Sequence, residues 1–196
     1  NSYVSRSVDG IIAVPVSATP DHLEEVAKGI PVVLIDRYFE DTSLPYVCTD
    51  NYAGGYMATE YLINKGYRKL LAVQGVETSM PNKERMRGFI QAIYDHSEDG
   101  VRGNISGDAF SVENGYREAM NVLGREDAPD AIFAFSTTIL LGVIKAVKEH
   151  GLRIPDDVAL ISFDNNRFLD FFDPAITRIE QPVNTIGKLA TDSIIK

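Results

Sequence analysis

An α/β fold, with parallel sheets flanked by helices, is predicted by the way apolar runs of strand length alternate with segments of helical period. The connections between successive runs are long enough for right-handed βαβ crossovers. Caps and glycines punctuate the helical segments where such crossovers should start and stop.

Taken in order, residues 11–14 form the first strand. Thr19-Pro20-Asp21 then opens a helix with a cap, a proline at its first position and an acid in its first turn, and Gly29 stops it. Residues 32–36 are the next strand. After an irregular stretch to Asp50, a helix covers residues 53–65 and Gly66 ends it. Residues 69–75 return as strand. Across residues 84–96, Met86, Phe89, Ile90, Ile93 and Tyr94 fall on one helical stripe. Ser111 caps a helix whose inner face is Val112, Tyr116, Ala119, Met120 and Leu123. Residues 131–136 are strand, 138–150 helix with Leu140, Val143, Ile144 and Val147 inward, and 159–164 strand. Residues 184–196 read as a helix with Ile186, Leu189, Ala190 and Ile194 on one side.

Composition excludes several function classes. The 196 residues suffice for a substantial core, and the 44% hydrophobic and 24% charged fractions are ordinary for a globular chain. No apolar run approaches the ~20 residues of a bilayer span. A single cysteine, Cys48, excludes disulfides and paired-cysteine zinc sites within the chain and fits a reducing cytoplasm. A formal charge of −9 offers phosphates nothing to neutralise, so DNA binding is not expected of these residues themselves. There is no initiating Met and no apolar leader, and strand sequence follows almost at once, so the fold is expected to be incomplete at both ends.

Function is sought at the strand ends, because in a doubly wound sheet the positions beyond the carboxyl ends converge on one crevice. There stand Pro15-Val16-Ser17, Asp36-Arg37, Gln74-Gly75 with Arg85 on the next helix, Ser136-Thr137-Thr138, and Asp164-Asn165-Asn166. Carboxylates, amides, hydroxyls and a guanidinium suit a polyhydroxylated ligand, each hydroxyl of which both donates and accepts. Phe110 or Tyr38 would supply an apolar wall against a sugar ring. Each residue also has a plainer reading: Asp164 as a turn cap, Asp36 as the ion-pair partner of Arg37 or Arg85, Arg85 as a member of a surface ladder, Phe110 as core. Asp156-Asp157, behind Pro155, reads as a solvated turn rather than an acid and base. The histidines show no ligand spacing, Gly54-Gly55 lacks the rest of a phosphate loop, and no nucleophile elbow follows a strand. No catalytic residue, metal or cofactor is expected.

Several segments stand in the order and spacing of a known family. Ile35-Asp36-Arg37, Asp50-Asn51-Tyr52-Ala53-Gly54-Gly55, Arg85-Met86-Arg87-Gly88-Phe89, Pro129-Asp130-Ala131-Ile132-Phe133-Ala134, Leu141-Gly142 and the run from Gly151 to Asp164 resemble the effector cores of LacI/GalR transcriptional regulators. The resemblance implies a type I periplasmic-binding-protein-like fold of two Rossmann-like lobes, 1–48 plus 181–196 and 49–180, with a small ligand in the cleft between them. It implies that Arg85 and Asp164 grip ligand hydroxyls, that Asp36 faces the same cleft and that Phe110 forms its aromatic wall. On that view Arg85 could be removed with little effect on stability. The chain departs from the family at Ser136-Thr137, where Asn-Asp is usual; hydroxyls there suit a sugar acid as well as a sugar. The implied partners are a carbohydrate or sugar-acid effector, a second copy of the full-length protein, and operator DNA reached only through a helix-turn-helix head absent from these residues. A cytoplasmic location goes with that reading. A periplasmic sugar-binding protein of a transport system is the alternative.

Overall fold

The structure, a computed structural model, describes residues 8–16 and 19–195. Ser17, one of the expected strand-end residues, lies outside them. The chain divides into two compact units, Asn1–Thr49 with Pro182–Lys196, and Asp50–Gln181.

The first unit holds a parallel three-stranded sheet of β1 (Ile11–Ala13), β2 (Val32–Ile35) and β3 (Tyr46–Val47), in that order. Helix α1 (Asp21–Ala27) connects the first two strands. Val32, Leu34 and Leu44 form its small core, against Ile11, Leu23, Val26 and Phe39. The last helix of the chain, α6 (Val183–Ile195), packs on all three strands.

The second unit is larger. Helix α2 (Asn51–Asn64) leads into β4 (Lys69–Val73), α3 (Met80–Asp95), β5 (Arg102–Ser106), α4 (Val112–Val122), β6 (Ala131–Ala134), α5 (Thr137–Glu149), β7 (Ala159–Phe163) and β8 (Thr177–Ile179). Short 3-10 turns cover Ser97–Asp99 and Arg167–Phe171. The strands form one parallel sheet in the order β5-β4-β6-β7-β8. From β4 the chain steps outward to β5 and then returns past β4 to β6, so right-handed crossovers put α3 and α4 on opposite faces. The pairs α2–α3 and α4–α5 cover those faces. Strands β6 and β7, central in the sheet, are buried along their whole length.

Glycines set how closely each helix pair packs. A Cβ on Gly88 would lie 2.2 Å from the Tyr52 carbonyl oxygen, and one on Gly142 1.9 Å from that of Val112. Gly55 and Gly115 make the reciprocal approaches. The Gly54-Gly55 pair therefore serves helix packing, with Gly54 lying against the Phe163 ring.

Three strands are not apparent in the sequence reading: β3, β5 and β8. All are edge strands, short or polar, with little apolar alternation. Helix α3 begins a turn earlier than its apolar stripe, because Pro81 stands in its first turn, where a missing N–H costs nothing. No helix of the described residues is long and apolar enough to cross a membrane.

Candidate functional site

In the parallel sheet of the second unit the order of strand addition reverses at β4, whose neighbours are β5 on one side and β6 on the other. Ligands of open α/β sheets sit beyond the carboxyl ends at such a switch point. The segments emerging there are Gln74-Gly75 after β4, Phe135-Ser136-Thr137 after β6 and Asp164 after β7.

Arg85 is 4% exposed and is held from several directions. Its Nε donates to Asn51 Oδ1 at 2.9 Å, and its Nη1 donates to the Phe135 carbonyl. The guanidinium lies 3.6 Å from the centroid of the Phe163 ring, as cation–π stacking requires. Its Nη2 stands 3.9 Å from Asp164 Oδ1, an ion pair too long for a direct hydrogen bond. These contacts argue against the expectation that Arg85 contributes little to stability: the same side chain ties α2, α3 and the end of β6 together. Its burial also excludes the surface-ladder reading.

Asp164 has φ 94°, in the left-handed region where non-glycine residues are uncommon. Its N–H donates to the Ile179 carbonyl at 3.0 Å, so the last rung between β7 and β8 turns the backbone. Gln181 Nε2 donates to Asp164 Oδ1 at 2.6 Å. A carboxylate accepts about four hydrogen bonds, and a third of this side chain is exposed, so capacity is left over.

Ser136 and Thr137 are both committed locally. Ser136 Oγ caps α5 by accepting from the Ile139 N–H at 3.3 Å, and Thr137 Oγ1 donates to the Phe163 carbonyl at 3.4 Å. Each keeps one role open, a donor on Ser136 and an acceptor on Thr137. Phe110 is half-buried against the core, and its ring lies over Gly75, where a Cβ would meet it at 2.4 Å. Arg85, Ser136, Thr137 and Asp164 thus cluster at the ends of β6 and β7, and Phe110 stands at the end of β4.

Asp36 belongs to the first unit. It too follows a strand with positive φ, 66°, and its N–H donates to the Val47 carbonyl of the neighbouring strand at 3.2 Å. The Arg37 Nε lies 3.9 Å from its carboxylate, in line with the ion-pair alternative, and the side chain is 45% exposed. Tyr38, the other aromatic candidate, stacks on Tyr46 with ring centroids 4.2 Å apart. Among the described residues Asp36 and Asp164 are the non-glycine residues with positive φ.

Sequence reasoning does not find the residues that position this edge. Asn82, fully buried, donates to Gln74 Oε1 and accepts from the Gly75 N–H at 2.8 Å. Asn114 Nδ2 donates to the Gln74 and Ala109 carbonyls. The hydroxyls of Ser79 and Ser106 are buried without a hydrogen-bonded partner, and Ser106 ends β5 at this same edge. Among the described residues no group of His, Cys, Asp and Glu is arranged to hold a metal ion. The Asp156-Asp157 pair is a turn, with Arg153 bound to both carboxylates.

Residues 59–196 match the periplasmic binding protein-like domain family. The chain is 34% identical over 196 residues to the HTH-type transcriptional repressor PurR of Klebsiella pneumoniae, covering 97% of this chain and 57% of that protein. It therefore spans little more than half the length of such curated relatives. Among solved structures, a Burkholderia thailandensis protein described as a ribose operon repressor is 32% identical with a TM-score of 0.84, over 99% of this chain and 72% of that one. A Corynebacterium glutamicum repressor placed in the LacI family is 30% identical with a TM-score of 0.83, over 99% and 71%.

Proposed function

The chain belongs to the LacI/GalR family of transcriptional regulators, as a periplasmic binding protein-like effector core, and we propose that it senses a small sugar or sugar acid. The observation that carries this reading is the buried Arg85 guanidinium, stacked on Phe163 beside the Asp164 carboxylate at the switch point of the sheet. Pre-set side chains of this kind lose little entropy on binding, and a guanidinium next to a carboxylate offers donors and acceptors to adjacent hydroxyls. The open capacities of Ser136 and Thr137 and the unpartnered hydroxyl of Ser106 suit the same ligand class. Phe110 supplies an apolar ring at the neighbouring strand end, and Asp36 is the corresponding carboxylate of the first unit. The relative described as a ribose operon repressor directs the search to pentoses first.

In the full-length protein, binding shifts the population of core conformations, and that shift alters operator binding by an N-terminal helix-turn-helix head. The intact regulator works as a homodimer in the cytoplasm. Relatives named as repressors favour this reading over a transport protein.

The test is calorimetry on the chain with ribose and a panel of pentoses, hexoses and sugar acids, repeated with Asp164→Asn. Asparagine also tolerates the left-handed backbone, so shape is kept while the charge and one acceptor are lost. Charge-assisted hydrogen bonds contribute about 1.5–3 kcal/mol each, so affinity should fall roughly 10- to 100-fold. Unchanged affinity would remove Asp164 from the site, and no binding across the panel would overturn the ligand class.

A further inference from the structure

Most arginines of this acidic chain are engaged by the protein itself. Arg37, Arg87, Arg117, Arg153 and Arg178 pair with carboxylates, Arg68 donates to the Ile63 and Tyr67 carbonyls, and Arg85 is enclosed as described. The guanidiniums of Arg102, Arg125 and Arg167 have neither an ion pair nor a hydrogen-bonded partner among the described residues. Arg102 and Arg125, with Lys69, line one cavity of about 340 Å³. It lies at the amino ends of β4 and β5, the opposite end of the sheet from Arg85 and Asp164.

The arrangement follows from strand register. Lys69 pairs with Arg102 across the parallel β4–β5 ladder, and Leu71 pairs with Asn104, so two cations stand side by side with Leu71 and Asn104 next on the same face. The chain leaving α4 at Val122 brings Arg125 and Asp127 to that face. Like charges opposite one another on adjacent strands repel. Asp127 is the one carboxylate among the lining residues, set against Lys69, Arg102 and Arg125. The cationic excess is local, in a chain whose net charge is −9.

We infer that this cavity binds a small organic phosphate, at a site separate from the effector position at the carboxyl edge. Guanidiniums match phosphate oxygens in a forked geometry, and Lys69 adds a point charge. The volume exceeds what a bare phosphate fills and lies in the range of small-molecule sites, about 300–1,000 Å³. Val122 and Leu71 cover an apolar part of the ligand, while Asn104 and Asp127 meet its hydroxyls. Asp127 disfavours a second anionic group near it, so a monophosphate bearing hydroxyls fits better than a diphosphate.

The test is amide NMR on the labelled chain, titrated with glycerol 3-phosphate and with inorganic phosphate, chloride holding ionic strength constant. Saturable shifts are expected at residues 69–71, 102–104 and 122–129, with glycerol 3-phosphate binding more tightly than inorganic phosphate. Arg102→Gln with Arg125→Gln should weaken binding at least 10-fold. Both side chains are exposed, so the melting temperature should be unchanged or slightly raised as repulsion is relieved. Lys69→Met, which keeps the aliphatic stem, provides a second reading of the same loss. Absence of saturable shifts, shifts confined to residues 135–137 and 164, or an affinity indifferent to these substitutions would overturn the site. Sugar binding at the carboxyl edge is read separately by the Asp164→Asn calorimetry.

Discussion

Arg85 serves the fold before it can serve a ligand. Replacing it by alanine leaves Asn51 Oδ1 and the Phe135 carbonyl without their donor and opens a gap over the Phe163 ring. Each stranded buried acceptor costs about 1–3 kcal/mol, so Arg85→Ala is expected to lose roughly 2–4 kcal/mol of stability. Arg85→Lys keeps the charge but not the planar fork and should fall between the two. Urea unfolding with an unchanged slope would measure both. Wild-type stability in Arg85→Ala would mean the guanidinium is held for ligand alone. Asp164 depends on the same arrangement, since its carboxylate stands beside a cation with little access to water. Removing its charge with Asp164→Asn is therefore expected to lower apo stability modestly, by about 1 kcal/mol, in addition to its effect on affinity.

At the scale of elements, the approach of α2 to α3 admits no side chain at Gly88. Gly88→Ala would drive a methyl group into the Tyr52 carbonyl and the Tyr56 N–H, at 2.2 and 2.6 Å. Forcing the helices apart should cost about 1–3 kcal/mol and loosen Arg85, which rides on α3. At Gly187, within α6, an added methyl group would meet nothing within 4 Å, so Gly187→Ala should instead stabilise by about 0.5–1 kcal/mol. Thermal unfolding of the two variants reads this contrast directly. The turn between α5 and β7 titrates. Hydrogen bonds from the Arg153 side chain and N–H hold the Asp157 carboxyl below the usual carboxylate range. A carboxyl lowered in the folded state adds stability that is present above its unfolded pKa and lost as pH falls through the folded one. Carbon NMR should show Asp157 titrating at lower pH than a free aspartate, and Arg153→Gln, which keeps the backbone N–H, should move it only part of the way back to the ordinary range.

For the whole molecule, charge decides what these residues can hold. At −9 the chain repels a phosphate backbone over most of its surface, and the cationic cavity inferred above to hold an organic phosphate is a local exception. Duplex DNA is expected to give no anisotropy change with this chain at physiological salt. Sequence-specific binding would place a DNA-reading surface within the effector core. Division into two units, each with its own parallel sheet, matches what a family of ligand sensors needs, because each sheet presents its own carboxyl edge. The boundaries between the units fall at Thr49 and Gln181, one residue beyond the expected Cys48 and Glu180.

The amino-acid order by itself determined the alternating α/β pattern, the central strands β6 and β7, and helices α2 to α5. In these elements burial imposes a local period on successive residues, and caps and glycines mark the ends. Asp36, Ser136 and Asp164 were legible as site candidates for the same reason: a strand's end is a local feature. The edge strands β3, β5 and β8 were not, because a strand exposed on one side carries little apolar signal and depends on its neighbour for existence. Nor was the setting of Arg85, which rests on Asn51, Phe135 and Asp164, 34, 50 and 79 positions away. The partnership of Asn82 with Gln74, the contact of Phe110 with Gly75 and the pairing of Lys69 with Arg102 have the same origin. Side chains distant along the chain meet only when helices and strands pack, so tertiary structure alone decides which cation is enclosed and which faces an open cavity.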